Sequence, residues 1–172
     1  TSKSFSVLVS GDTTPEANET FFVNLSNIVN ATPTDAQGQG TIVNDDDPCL
    51  AYSFPHTVSG ADNTARVADL VQAINCANAN ATADTIDLGG QTIEMATAFA
   101  ANSALPLVSS EMTIRNGAIT RVGVNNLRFF YVSGDLTLDR ISLTGGTGFI
   151  GITADGGAIY NSFGSVTISG ST

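Results

Sequence analysis

The chain has 172 residues, 16 of them acidic and 6 basic, for a net charge of −10. No stretch approaches the roughly 20 apolar residues of a membrane span, which excludes a transmembrane helix in this segment, and the acidic balance argues against nucleic acid as a partner. Hydrophobic residues make up 42% and charged residues only 13%, so Ser, Thr, Asn and Gly must cover the surface, a composition that predicts mainly β structure with many turns.

Residues 1–48 hold seven acids and one Lys, against nine acids and five Arg in residues 49–172. The run Asn44-Asp45-Asp46-Asp47-Pro48 should stop strand pairing, because carboxylates repel and Pro lacks a donor. It sets a boundary between a first segment, 1–48, and a linker, 49–63. Within the first segment Phe5, Val7 and Val9 alternate with Ser4, Ser6 and Ser10, and Phe21, Val23 and Leu25 alternate with Phe22, Asn24 and Ser26. The pattern predicts half-buried strands over 5–9 and 21–25, with a shorter one over Gly40–Val43. Three such strands cannot enclose a core. The other half is expected upstream or from a partner, and a chain that opens on Thr1 reads as a piece of a longer polypeptide.

Strand parity locates the acids. If strand 5–9 runs toward loop 10–20, strand 40–43 runs back to the same end. Asp12, Glu16, Glu19, Asp45, Asp46 and Asp47 then crowd one end of the sheet, which is unfavourable unless a cation neutralises them or water screens them. Hard oxygen donors in a flexible loop suit Ca²⁺ better than Mg²⁺. The stretch Gly11 to Phe21, with Leu25-Ser26-Asn27 and Gly40-Thr41-Ile42-Val43-Asn44-Asp45-Asp46, resembles the C-terminal half of a Calx-β domain, an immunoglobulin-like Ca²⁺-binding sandwich. The resemblance implies that Asp12, Glu16 and Glu19 supply loop carboxylates, that a carbonyl near Thr14 contributes, and that Asp45, Asp46 and Asp47 complete the cage. The alternative is a solvated acidic turn that holds no metal.

In the second segment Val67, Leu70, Val71 and Ile74 fall at helical spacing, which predicts one amphipathic helix over about 64–79 with Asp62, Asn63 or Thr64 as N-cap. Cys76 falls on the face away from that stripe and can meet Cys49 if the linker folds back. The disulfide would contribute about 3 kcal/mol by the chain-entropy account, and two unpaired thiols are the alternative. Zinc is not indicated, since one His and no second Cys pair are available.

Beyond the helix come Thr85–Leu88, Met112–Arg115, Leu136–Asp139 and Val166–Ser169, short strands between Gly and Asn turns. Such spacing suits stacked coils with inward columns Met112, Leu136, Val166 and Ile114, Leu138, Ile168, and with Thr113, Thr137 and Thr167 outside. Ala68, Leu70, Ala73, Ile74, Ala77 and Asn78, with the later Gly156-Gly157-Ala158-Ile159, resemble the capping helix and repeats of right-handed parallel β-helix surface proteins of the polymorphic outer-membrane type. Gly156 and Gly157 are expected at a tight corner. Phe129 to Tyr131 form a strand that buries Phe130.

Parallel β-helices also carry polysaccharide lyases and hydrolases. Asp135 and Asp139 share an outward strand face, and the repeat alignment sets Arg115 beside Asp139. An exposed ion pair between coils accounts for them without catalysis, and His56 reads as a surface or packing residue of the linker. No catalytic residues are assigned. The expected protein is a Ca²⁺-binding structural and adhesive part of a large polypeptide that is secreted or displayed on the cell surface or outer membrane, with a glycan or protein of the cell surface or matrix as partner. The rival is the opening of an extracellular polysaccharide-active enzyme.

Overall fold

Apolar alternation becomes hydrogen-bonded strand in two places among the first 48 residues. A computed structural model describes residues 4–12, 14, 16–100, 103–123, 126–147 and 157–172. The protein is mainly β, with one helix and several sheets, and divides into the units Thr1–Pro48 and Cys49–Thr172. No helix among the described residues is long and apolar enough to cross a membrane.

In the first unit β1 (Glu19–Asn24) pairs antiparallel with β2 (Gln37–Ile42), Phe21 opposite Gly40 and Val23 opposite Gly38. The Phe21 ring lies over Gly40, where a Cβ would overlap it, so the aromatic covers backbone that glycine leaves bare. The expected strand over 5–9 is not formed. Leu8 is 97% exposed and Phe5, Val7 and Val9 are exposed as well. Alternation supplies a face, but a strand also needs a neighbour's hydrogen bonds, and this segment pairs with no described strand.

In the second unit α1 (Asn63–Ala79) begins where the Asp62 side chain accepts a hydrogen bond from the Ala65 N–H, 2.9 Å, satisfying one of the donors that a helix start leaves open. Its buried face is Leu70, Ala73, Ile74, Cys76 and Ala77. Val67 and Val71 only edge the core. Cys76 is 3% exposed, not because the helix turns it inward with the expected stripe but because residues 49–56 fold over that side. The disulfide Cys49–Cys76 joins them with 5.3 Å between Cα atoms. Residues 49–63 are therefore not a free linker: Tyr52 and Phe54 pack on the core, and His56–Thr57 is strand β3.

Strands β4 (Asp84–Asp87), β5 (Thr92–Met95), β6 (Met112–Arg121), β7 (Phe130–Val132), β8 (Asp135–Thr144), β9 (Ile159–Asn161) and β10 (Ser165–Ser169) follow. The order β10-β8-β6-β4-β3 is parallel throughout. Its register stacks Ile86, Ile114, Leu138 and Ile168 in one column, and Thr85, Thr113, Thr137 and Thr167 in another. Ile86, Ile114 and Leu138 are buried, whereas Ile168 is 58% exposed because β10 is the edge strand. The column of Met112, Leu136 and Val166 continues back to Asp84.

β6 and β8 bend at matching positions, Asn116 at φ 60° and Arg140 at φ 54°, and Gly170 at φ 56° follows after β10. Beyond the bend β5 pairs with the second half of β6, which pairs with that of β8. A further parallel ladder joins β7 to β9. Beside it both Phe129 and Phe130 are buried, a pair that strict alternation would split. The Ala158 carbonyl accepts from both of their N–H groups, at 2.8 and 3.2 Å, a local departure from strand geometry that turns both rings inward. Gly156, half of the expected corner, lies outside the described residues.

Replacing Leu138 by Ala is expected to cost about 2–5 kcal/mol in urea unfolding. Ile168→Ala, on the exposed edge, should stay within about 0.5 kcal/mol; equal losses at both positions would contradict the assignment of edge and interior.

Candidate functional site

Two polar constellations are built by the fold, one in each unit. In the first, pairing of Glu19 with Ile42 sets the start of β1 beside the end of β2. Asn18 and Asn44, just outside the two strands, staple the adjoining segments. The Asn44 N–H donates to Asn18 Oδ1, 2.8 Å, while the Glu16 and Asp46 N–H groups both donate to Asn44 Oδ1, each at 3.3 Å. Asp12 Oδ1 accepts from the Thr14 N–H, 2.7 Å, a local turn typical of Asp. These asparagines were not singled out by sequence reasoning, although their places at strand ends are where side-chain amides commonly satisfy backbone groups.

The electrostatics of this end follow. Partial burial, then the facing charges of Asp45 and Asp12, push the Asp46 carboxyl above its ordinary range, as expected of like charges brought together. Asp46 thus feels both Asp45, its chain neighbour, and Asp12 of the loop before β1. Glu16 joins through its backbone, Glu19 opens β1, and Asp47 follows Asp46 along the chain. Thr13 and Pro15 of the loop lie outside the described residues. Among the described residues no three His, Cys, Asp or Glu side chains are gathered in position to hold a metal ion. Carboxylate oxygens have the right chemistry for Ca²⁺; the segments that carry them adjoin, but their side chains do not form a cage.

The second constellation centres on Asp69 of α1, which sequence reasoning did not single out. Its Oδ1 accepts from the Tyr52 hydroxyl, 2.7 Å, and Oδ2 from the Ser59 N–H, 2.8 Å, and the Ser59 hydroxyl, 3.3 Å. His56 Nε2 lies 3.1 Å from both oxygens, and its ring sits against Tyr52 with centroids 4.6 Å apart. Burial works to raise the Asp69 pKa, but the Ser59 N–H, the Tyr52 hydroxyl and His56 outweigh it and hold the carboxyl below its ordinary range. Burial and the same carboxylate push the Tyr52 phenol up to about 12. Asp69 is thereby saturated with donors. The Ser59 hydroxyl and N–H bond the carboxylate rather than the imidazole. The constellation ties β3 and its flanks to the helix, and the expectation of His56 as a packing residue describes its part in it.

On the parallel ladder the side chains of Asp87, Asp135 and Asp139 are each engaged. Arg115 turns from its expected neighbour Asp139 to Asp87, Nε to Oδ2 2.8 Å. Asp139 instead meets Arg140 at 3.1 Å. Register alone did not decide between them, because Arg115 has Asp87 on one neighbouring strand and Asp139 on the other. Asp135 accepts from both the hydroxyl and the N–H of Ser165, which lower its pKa. Asp84 is only 4% exposed; Thr82 donates to one oxygen at 3.3 Å and the other is buried without a partner.

Tyr52 should keep its proton to about pH 12. Because its folded pKa is raised, its contribution to stability is complete below pH 10 and lost as pH rises through 12. Ultraviolet titration should show a late transition from Tyr52 that moves toward pH 10 in Asp69→Ala. The lowered Asp69 carboxyl contributes with the opposite sense: its stabilisation is complete above about pH 4 and lost as acid protonates it. Asp69→Ala should therefore melt lower at pH 7, with the difference from wild type shrinking toward pH 2. Comparisons of the chain with protein-family models, curated proteins and solved structures find no match.

Proposed function

We propose that the chain is a structural and adhesive module of a secreted or cell-surface protein, in which the end of a Ca²⁺-binding, immunoglobulin-like sandwich leads into a right-handed parallel β-helix capped by α1. The observation that carries the metal reading is the joining of the loop before β1 to the segment after β2 through Asn18 and Asn44, which sets the N–H groups of Glu16 and Asp46 on one amide oxygen. Asp12, Asp45 and Asp46 would hold the ion, with Glu16, Glu19, Asp47 and the Thr14 carbonyl completing the set as the loop draws in. When bound, Ca²⁺ supplies positive charge between carboxylates that otherwise oppose the hairpin end. An ion that binds only the folded form stabilises it by mass action.

Two further observations support the reading as a surface module. The Cys49–Cys76 disulfide suits an oxidising compartment. The in-register parallel rungs, with Met112 over Leu136 and Leu136 over Val166, suit a solenoid whose outer face is lined by threonine hydroxyls and offers a regular surface to a glycan or protein of the cell surface or matrix.

Calorimetric titration of the whole chain with Ca²⁺ is expected to give saturable heat and a higher Tm. Asp46→Asn should raise the metal-free Tm by relieving repulsion and remove most of the Ca²⁺-induced rise; Asp12→Asn should also weaken binding. Absence of both heat and thermal shift in wild type would falsify the metal reading.

A further inference from the structure

Residues 49–55 are attached to the second unit through side chains that converge on one face of α1. Asp69, Gln72 and Cys76 stand at i, i+3 and i+7 along the helix, the spacing that aligns residues on one face. Cys76 holds Cys49 covalently, the Gln72 amide lies 3.8 and 3.3 Å from the sulfurs of Cys49 and Cys76, and Asp69 accepts from Tyr52 at 2.7 Å. The Tyr52 N–H turns back to the Cys49 carbonyl, 2.9 Å. Attachment by the sheet begins at His56, which pairs with Ile86, and continues through the Val58 N–H on the Asp87 carbonyl, 2.8 Å, and the Gln91 amide on the Val58 carbonyl, 2.8 Å.

We propose that residues 49–55 are a strap that a dithiol reductant releases from α1, so that the redox state of Cys49–Cys76 sets the length of the connection between the two units. While the disulfide stands, that connection ends at Cys49, the first residue of the second unit. Once the strap is free it ends at His56, where the ladder takes hold, a gain of seven residues or at most about 24 Å of extended chain. The chemistry is thiol–disulfide exchange: a reductant thiolate attacks, the S–S bond breaks, two electrons and two protons end on Cys49 and Cys76 as thiols, and the reductant closes to its own disulfide. Cys49 is the half-exposed partner and Cys76 the buried one, so attack falls on the Cys49 sulfur. Tyr52 on Asp69 then remains the strap's polar hold, while His56 stays with the sheet and Ser59 stays on Asp69.

Chymotrypsin digestion of the full chain with and without dithiothreitol, with peptides read by mass spectrometry after quenching and complete reduction, tests this. Dithiothreitol is expected to speed cleavage after Leu50 and Tyr52 at least tenfold while Phe129, Phe130 and Tyr131 stay uncut. The paired change Cys49→Ser and Cys76→Ser should reproduce the effect without reductant, and Asp69→Ala should speed strap cleavage further in the reduced state. Cleavage after Leu50 and Tyr52 that ignores reduction overturns the proposal. So does an equal rise at residues 129–131, which would make the disulfide a support of the whole unit rather than a lock on the strap.

Discussion

The second unit depends on one constraint: parallel strands drawn from distant parts of the chain must stack in register with their inward residues buried. Backbone bonding alone would tolerate a slip, but a shift of one residue would turn Ile86, Ile114 and Leu138 to the outside and the threonines to the inside. The apolar columns therefore enforce the register. The matching left-handed bends at Asn116 and Arg140 are its consequence, since rungs of one shape must turn at one place. A non-glycine residue at positive φ is costly, and at Asn116 the amide also bonds Asp87 at 3.1 Å.

In the second unit α1 and the segment before it pack on the core that the parallel strands share. The helix sets Leu70, Ala73, Ile74 and Ala77 into the core, and its Asn78 amide and carbonyl oxygen bond the Leu107 carbonyl and the Ser109 N–H, at 2.6 and 2.9 Å. That fastens the C-terminal end of the helix to the loop before β6. Asp69 and Cys76 fasten the other side by drawing in residues 49–59. The packing of α1 is thus polar and covalent at its rim and apolar at its centre.

The first unit obeys a different balance. Its hairpin has little interior: Phe21 rests on a glycine and large apolar side chains remain exposed. At its acidic end Asp46 feels the charges of Asp45 and Asp12. Asn18 and Asn44 hold the segments together despite that repulsion, so the geometry at this end is maintained by neutral amides while the carboxylates oppose it.

Sequence alone determined the features that depend on local pattern. The α1 helix follows from its apolar spacing and the Asp62 cap, and β1, β4, β10, the end of β2 and the first halves of β6 and β8 follow from short β-branched runs between turn residues, whereas residues 37–39 and the second halves of β6 and β8 were not expected as strand. The repeated Ile/Leu-flanked threonines carried the register of the ladder, because residues that must be buried together have to recur together. Tertiary structure decided what depends on neighbours that no local pattern reveals. Phe5 to Val9 has a strand's alternation but no paired strand among the described residues. Arg115 had two acids within reach and took Asp87. Asp69, one helix acid in a sequence of many, became the centre of a donor cluster only because the chain from Tyr52 to Ser59 folded back over it, and side chains brought together by such a return have no fixed spacing along the chain.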